Sequence, residues 1–304
     1  MTTRNLKPPV ILIGNYRSGT SLVQRLFGLH PSVVTWHEPR SIWRYADPGR
    51  SHDESDEGDA TEEVIRYIRR RFLQYQVEHG DRQIMEKTPS NVLRVPFVHK
   101  IFPEAKILYI TRNPLSCISS AKVKWQTKKP KTWSNLWRSF DDAPLSQIHY
   151  YAGAFLTHMV VTKVAKSRPL LISGPRYKGM DQDLKEHGPL RVIARQWARG
   201  NRKAREDLAK LGSGSVCAFR YEALVQDPVS VLSRVFDHCE LSCDDRVLRS
   251  AKEMIDPGRQ EKWVNLEHDE LRAIAPEIRD EMEFCGYEIP QFLQDARRPS
   301  LDAA

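Results

Sequence analysis

The sequence predicts an α/β fold, with a parallel sheet flanked by helices. A short, continuous apolar run is followed by a glycine-rich turn and an amphipathic helix, and a similar order returns further along the chain. Short runs without polar alternation are typical of parallel strands, which are buried on both faces. No internal repeat or low-complexity linker divides the chain, so we expect a single domain, residues 1–304.

The first strand is predicted at residues 10–13, where Val, Ile, Leu and Ile precede Gly14, and a helix follows the turn. The second unit is a helix ending at Phe102, a strand at 107–110 and a helix opened by Pro114. A third strand and helix are predicted at 215–219 and 229–238. Further helices are predicted at residues 62–79, 147–166, 189–211, 244–255 and 267–285.

The charge is unevenly distributed. The chain has 47 Lys and Arg against 39 Asp and Glu, a formal charge of +8. Residues 53–63 nevertheless contain seven acids and no base, so the rest is more basic than the total implies. A basic body of this kind favours an anionic partner. We expect the acidic segment 47–62 to be irregular and mobile, and the stretch 122–146 to be irregular.

The five cysteines are few, odd in number and scattered, unlike the disulfide framework of a small secreted domain. Cys239 and Cys243 have no second pair to complete a zinc site, so we expect reduced thiols and no metal. The N-terminal apolar run is too short for a signal peptide, and no stretch approaches ~18 apolar residues. We therefore expect a cytoplasmic protein without a transmembrane segment, and the oligomeric state stays open.

The segment 14–21, GNYRSGTS, has the spacing of a phosphate-binding loop. Its glycines let the backbone wrap an anion, and the next helix points free N–H groups at it. Thr20 stands where nucleoside-triphosphate hydrolases carry Lys, which argues against that activity. The predicted anion-binding residues of this P-loop-like segment are Gly14, Tyr16, Arg17, Ser18, Gly19, Thr20 and Ser21.

A second candidate site begins at Arg112, just past the predicted strand 107–110. Ligands of open α/β sheets collect at this edge. Ser120 lies about two helical turns further on, so both residues can serve one ligand only if it runs along that helix. Together with the loop, the pair implies a ligand with two separate anionic groups.

These segments resemble the sulfotransferases that use 3′-phosphoadenosine 5′-phosphosulfate (PAPS). The resemblance rests on four motifs in the family's order: RSGTS at 17–21, EKTP at 86–89, RNP at 112–114 with Ser120, and YEALVQDP at 221–228. It covers residues 10–228, with weaker similarity in QEKW at 260–263. The glycan- and tyrosine-modifying and bacterial branches are the most similar, and the sulfotransferase fold is the fold implied.

The resemblance implies PAPS as co-substrate, released as adenosine 3′,5′-bisphosphate, and no metal. It also implies that the loop binds the phosphosulfate, Arg112 and Ser120 bind the 3′-phosphate, and Tyr221 lies near the adenine. Lys262 and Trp263 complete the predicted donor site. In-line transfer needs positive charge near the sulfate and bridging oxygens, for which Arg17 and Lys87 are the candidates.

Two neighbouring residues are candidates for the general base. The resemblance favours Glu38, because a glutamate shortly after the first helix takes the acceptor proton in related members. A carboxylate in a half-dry cleft can have its pKa raised toward the working range. His37 is the alternative, since its reference pKa of about 6.5 suits base chemistry. Glu38 could instead simply pair with Arg40 or Arg44.

The acceptor is predicted to be a hydroxyl of a glycan, a glycolipid or a small, possibly phenolic molecule. The candidate acceptor walls are two segments: the stretch 122–146, which is basic and contains tryptophans, and the segment 174–180. The residues named for them are Trp125, Trp133, Arg176 and Tyr177. The tryptophans could equally fold onto the core. Two other functions remain open: a phosphotransferase or nucleotide kinase, and a nucleic-acid binder, whose binding would depend steeply on salt.

Overall fold

The structure is a computed structural model that describes residues 5–127, 173–212, 214–256 and 266–291, together with residues 144, 147, 150 and 258. Five parallel strands form one sheet in the order β2, β3, β1, β4, β5. The strands are β1 Val10–Gly14, β2 Val33–His37, β3 Gln83–Lys87, β4 Lys106–Thr111 and β5 Val216–Arg220. The α/β prediction is thereby confirmed.

Helices cover both faces of the sheet. They are α1 Thr20–Phe27, α2 Arg40–Trp43, α3 Glu62–Glu78, α4 Val95–Ile101, α5 Pro114–Thr127, α6 Met180–Leu208, α7 Tyr221–Gln226, α8 Pro228–His238, α9 Asp245–Met254 and α10 His268–Phe284, with 3₁₀ helices at Glu57–Asp59 and Pro89–Leu93. None of these described helices has the length and apolar composition to span a bilayer.

Alternating side chains of the strands feed two separate cores. In β1, Ile11 and Ile13 join the core formed with α3, α4, α6 and α10. Val10 and Leu12 join the core formed with α1, α8 and α9. All four are fully buried, because helices cover both faces of the sheet. This explains why β1 reads as an unbroken apolar run.

Local signals account for two helix boundaries. Thr61 caps α3, its side chain accepting the N–H of Val64, and two glutamates in the first turn complement the helix dipole. Within α6 the backbone of Gly188 is non-helical (φ 74°, ψ 172°), and Pro189 follows it. Since proline cannot donate the helical hydrogen bond, the predicted helix 189–211 corresponds to the second part of α6.

Some predictions differ from the structure, and others fall on residues that the structure does not describe. The sequence predicted neither β2 nor β3. Residues 122–127, predicted as irregular, form the last turns of α5. The rest of that stretch, apart from residue 144, and most of the predicted helix 147–166 lie outside the described residues.

Candidate functional site

The candidate residues meet because each follows or ends a strand at the same edge of the sheet. In a parallel sheet all carboxyl ends lie at one edge, where ligands of open α/β folds bind. β1 ends at the loop 14–21 and β3 ends at Lys87, while Glu38, Arg112 and Tyr221 immediately follow β2, β4 and β5. The sheet therefore gathers residues that are far apart in sequence.

Both glycines of the loop are required by close contacts. A Cβ on Gly14 would lie 2.5 Å from a methyl carbon of Ile110. Gly19 has a φ of +96°, and its Cβ would lie 2.4 Å from the ring of Tyr221. A side chain at either position would force the loop away from β4 or from Tyr221.

The loop is fixed from beneath by buried polar contacts. The Asn15 side-chain amide donates to the carbonyl of Trp197 in α6 at 2.8 Å. The Ser18 hydroxyl donates to the carbonyl of Asn15 at 2.7 Å. Both residues are 1% exposed. Asn15 was not among the predicted site residues. Its buried side-chain amide nevertheless holds the loop against α6.

The N-terminus of α1 suits an anion. Gly19 precedes the helix without a side-chain cap, and its first turn contains no acid. Thr20 is buried and Ser21 is exposed. Free N–H groups and the positive end of the helix dipole therefore remain unopposed by a carboxylate.

Two arginines surround this helix start. Arg112 is 7% exposed. It donates to the carbonyl of Arg17 at 3.1 Å, and its guanidinium carbon lies 4.2 Å from the centroid of the Tyr221 ring. Arg17 is exposed, has a φ of 70° and donates through Nε to the hydroxyl of Ser120 at 2.9 Å. The structure thus brings Ser120, which belongs to α5, to Arg17.

On the other side of the loop, Glu38 forms two ion pairs. Its carboxylate accepts from Lys87 Nζ at 2.8 Å and from Arg40 Nη2 at 2.6 Å. The backbone of Glu38 is left-handed, with φ 51°, and its N–H donates to the carbonyl of Lys87 at 3.2 Å. Lys87 is 1% exposed. The sequence predicted a pair between Glu38 and Arg40 as an alternative to a catalytic role for Glu38. The structure has this pair together with the pair between Glu38 and Lys87.

These charges set the protonation of both base candidates. Burial alone would raise the pKa of Glu38, but the charges of Arg40 and Lys87 outweigh it and lower the pKa to about 2. The pKa of His37 is lowered by partial desolvation and then by the charge of Lys87. His37 Nδ1 lies 2.9 Å from Oε1 of Gln24. Glu38 is therefore ionised and His37 neutral at neutral pH.

The strand residue before Lys87 is Glu86, a buried carboxyl. Glu86 is 0% exposed and accepts from Trp43 Nε1 at 3.0 Å, Asn91 Nδ2 at 2.9 Å and the Thr88 hydroxyl. Burial raises its pKa to about 7, although these hydrogen bonds act in the opposite direction. Its bonds fasten the end of β3 to α2 and the following 3₁₀ helix.

The predicted acceptor walls have different positions. Trp125 is 2% exposed and donates to the carbonyl of Ser173 at 3.2 Å, so it folds onto the core. Tyr177 is 2% exposed and donates to Asp183 at 2.7 Å. Arg176 is partly exposed and pairs with Asp181 at 2.6 Å. Trp133, Lys262 and Trp263 lie outside the described residues.

A group of possible metal ligands lies in the first part of α6, away from these strand ends in sequence. Asp183, Glu186 and His187 have ligand atoms within 4.8 Å of one another. Asp183, however, already forms an ion pair with Arg195 at 2.8 Å and accepts from Tyr177. The expectation that the protein needs no metal stays a prediction.

Comparison with known proteins identifies the family. A family model described as the sulfotransferase family matches residues 8–160 and 175–245. Protein-tyrosine sulfotransferase 1 of Danio rerio is 31% identical over 127 residues, 38% of this chain and 36% of that protein. Nodulation protein NoeE of Sinorhizobium fredii is 26% identical over 141 residues, 40% of this chain and 34% of that protein. The match spans about a third of these relatives' length.

Solved structures share the fold. The sulfotransferase domain from the curacin biosynthetic pathway has a TM-score of 0.55 at 16% identity, covering 94% of this chain and 100% of that one. The sulfotransferase domain from the Synechococcus olefin synthase has a TM-score of 0.50 at 17% identity, covering 95% and 98%. With the family model matching well over half of its residues, the chain belongs to the sulfotransferase family.

Proposed function

We propose that the protein transfers the sulfuryl group of PAPS to a hydroxyl of a glycan, a glycolipid or a small, possibly phenolic molecule. The observation that carries the proposal is the start of α1, which has neither a side-chain cap nor an acid and lies beside Arg17 and Arg112. Such a start favours an anion. The missing lysine after Gly19 argues against a nucleoside triphosphate.

The positions of Arg17 and Arg112 support one orientation of the donor in the site. The loop N–H groups and Arg17 would bind the phosphosulfate at the start of α1. Arg112 and Ser120 would bind the 3′-phosphate, with the Tyr221 ring held between Gly19 and Arg112. The contact between Arg17 and Ser120 supports a single extended ligand that carries both anionic groups.

The chemistry is an in-line displacement at sulfur. The acceptor oxygen forms a bond to sulfur while the bond between sulfur and the bridging oxygen of the 5′-phosphate breaks. Adenosine 3′,5′-bisphosphate leaves with that electron pair, and Glu38 takes the acceptor's proton. Arg17 and Lys87 balance the charge that develops on the sulfate and bridging oxygens.

The ion pairs of Glu38 imply an order of binding. A carboxylate with a pKa of about 2 is a weak base. An anionic donor beside Lys87 competes with Glu38 for the same ammonium group, which weakens the pair and raises the pKa of Glu38. The donor therefore binds first, and the base becomes effective only in its presence.

The acceptor side is less constrained. Relatives named protein-tyrosine sulfotransferases act on a phenolic hydroxyl, which supports a phenolic acceptor among the candidates. Arg176 is partly exposed and stays in the proposed wall. Trp125 and Tyr177 are buried, so we leave them out of it.

Two measurements test the proposal. Calorimetry with adenosine 3′,5′-bisphosphate should detect binding in the presence of EDTA. Incubation with sulfur-labelled PAPS and a cell extract, followed by mass identification of the labelled product, should reveal the acceptor. Binding of ATP only with Mg²⁺, and no binding of the bisphosphate, would overturn the proposal and favour a phosphotransferase.

A further inference from the structure

The acidic segment 47–62 is bonded along its length. Arg50 makes a forked pair with Asp59, with N to O distances of 2.8 and 2.7 Å. The carbonyl of Arg50 accepts from the guanidinium of Arg44, which follows α2. Asp56 caps the 3₁₀ helix that follows. Residues 47–62, predicted to be irregular and mobile, form a strap that these contacts connect to the rest of the protein; their mobility stays a prediction.

Asp53 is the residue through which the strap contacts the rest of the site. Its carboxylate accepts from the hydroxyl of Ser90 at 2.7 Å and from the N–H of Arg176 at 2.9 Å. Its own N–H donates to the carbonyl of Arg176 at 2.7 Å. One residue further, Glu54 accepts the N–H of Lys178 at 2.8 Å. In these three bonds between the two segments, residues 176–178 contribute backbone groups, and the strap contributes two carboxylates and one backbone N–H.

On one side, these bonds lead to the end of β3. Ser90 lies three residues after Lys87, in the 3₁₀ helix whose Asn91 is bonded to Glu86. Arg94 is 2% exposed and donates through Nε to Asn91 at 2.9 Å. Burial raises the pKa of Asp53, but the charge of Arg94 and the bonds from Arg176 and Ser90 outweigh it and lower the pKa. The carboxylate is thus ionised opposite a buried cation.

On the other side, the bonds lead to the donor loop. Near the start of residues 173–178, Gly174 has a φ of +90°, and a Cβ on it would lie 2.9 Å from Cβ of Tyr16. Gln196 in α6 donates to the carbonyls of Ser173 and Pro175 at 3.0 and 2.6 Å. Residues 173–178 therefore fill the space between the loop and the strap.

We infer that Asp53 is a positioning residue, which fastens residues 173–178 to the 3₁₀ helix that follows β3 and so fixes the proposed acceptor wall at 174–180. The inference rests on the proposed function. Among the described residues, Asp53 bonds to Ser90 and Arg176 and to neither the loop 14–21 nor Glu38, so it acts on the acceptor through the wall. The acidic strap is then part of the site, and Asp53 joins it to the residues that follow β3.

The test compares three variants. Asp53→Ala removes the carboxylate that accepts from Ser90 and Arg176 and whose charge acts on Arg94. Asp53→Asn keeps the shape and one acceptor but not the charge. Glu57→Gln removes the same charge from an exposed position of the strap, where the backbone carbonyl accepts from Lys100 and from the N–H of Ala60.

The first readout is hydrogen exchange, which needs no activity. In Asp53→Ala the amide of Arg176 should exchange at least about tenfold faster, as expected for the loss of its hydrogen bond to the Asp53 carboxylate. Asp53→Asn should give a smaller increase, and Glu57→Gln should match the unaltered protein. Equal exchange in all four proteins would overturn the inference.

The second readout compares the effect of the variants on the KM of the acceptor with their effect on the Kd of the donor product. With the acceptor isolated by the labelling experiment, Asp53→Ala should raise the acceptor KM at least about fivefold, while the Kd of adenosine 3′,5′-bisphosphate stays within about twofold. If Asp53→Ala does not fold, Ser90→Ala, which removes one bond and keeps the charge, should raise the KM by a smaller factor. An unchanged KM, or an equal loss of donor binding, would overturn the positioning role. Absence of bisphosphate binding in the unaltered protein would instead overturn the proposed function.

Discussion

The two sides of the candidate site hold their charges differently. On the proposed donor side, the start of α1 offers N–H groups and two arginines, and no acid lies in its first turn. On the proposed acceptor side, Lys87 and Arg40 are both paired with Glu38. An anion can therefore bind at the start of α1 without breaking an ion pair, whereas a group that binds beside Lys87 must compete with Glu38. The comparison predicts that substitutions on the two sides affect different steps.

The largest effect is expected from Glu38→Gln, which removes the proton acceptor but keeps the size of the side chain. Transfer should slow by about 10²- to 10⁴-fold, the usual contribution of a general base. Binding of adenosine 3′,5′-bisphosphate should remain. Single-turnover transfer and calorimetry check the two statements, and His37→Asn is the matched comparison. If His37→Asn slowed transfer more than Glu38→Gln, the assignment of the base would be wrong.

Arg112→Ala should act on the other side. It removes a buried cation beside Tyr221 and the carbonyl of Arg17, and should weaken bisphosphate binding by roughly 10- to 150-fold. Calorimetric titration measures this directly. Arg249→Ala, at an exposed position of α9, removes the same charge and should bind normally. Equal weakening in both variants would show that net charge alone attracts the donor.

Lys87→Met tests the resting ion pair. Because the charge of Lys87 helps to lower the pKa of Glu38 to about 2, its loss should raise that pKa by about one unit or more. The acidic limb of the pH profile of kcat/KM should move to higher pH accordingly. Carboxyl chemical shifts measured against pH give the pKa itself. Lys124→Met, at an exposed position of α5, should leave the pKa unchanged, and an unmoved pKa in Lys87→Met would contradict the described pair.

The smallest effect on activity is expected from Glu86→Gln. Glu86 is fully buried near the end of β3. The pKa of Glu86 is raised to about 7 in the folded protein, above its ordinary value of 4.5. The folded state therefore favours the protonated form, and stability from this group is present below pH 4.5 and lost as pH rises through about 7. Urea unfolding should show a decline on the order of 1–3 kcal/mol between pH 5 and pH 8. Glu86→Gln should remove this decline and Glu57→Gln should retain it.

The strands show how much of the fold could be predicted. β1 and β4 are short apolar runs followed by glycine or Arg-Asn-Pro, and both were predicted within one residue at each end. β2 and β3 were not predicted, because polar residues break their apolar patterns. β2 contains Thr35 and ends at His37, and β3 ends with Glu86 and Lys87. The pattern gives no reason to bury a carboxyl and an ammonium group. They are buried because Trp43, Asn91 and Glu38 bind them.

The local parts of this protein could be predicted from sequence alone: the loop 14–21 with glycines at the close contacts, the helix that follows it, and an arginine placed directly after β4. Each depends on neighbours along the chain. The pairs of side chains that build the site became visible only in the folded protein. Glu38 and Lys87 are 49 residues apart, Arg17 and Ser120 are 103 apart, and Asp53 and Arg176 are 123 apart. Periodicity and spacing do not specify such pairs, because the pairs form only when the fold brings distant segments together. For Glu38 and Lys87, the parallel strands do this at one edge of the sheet.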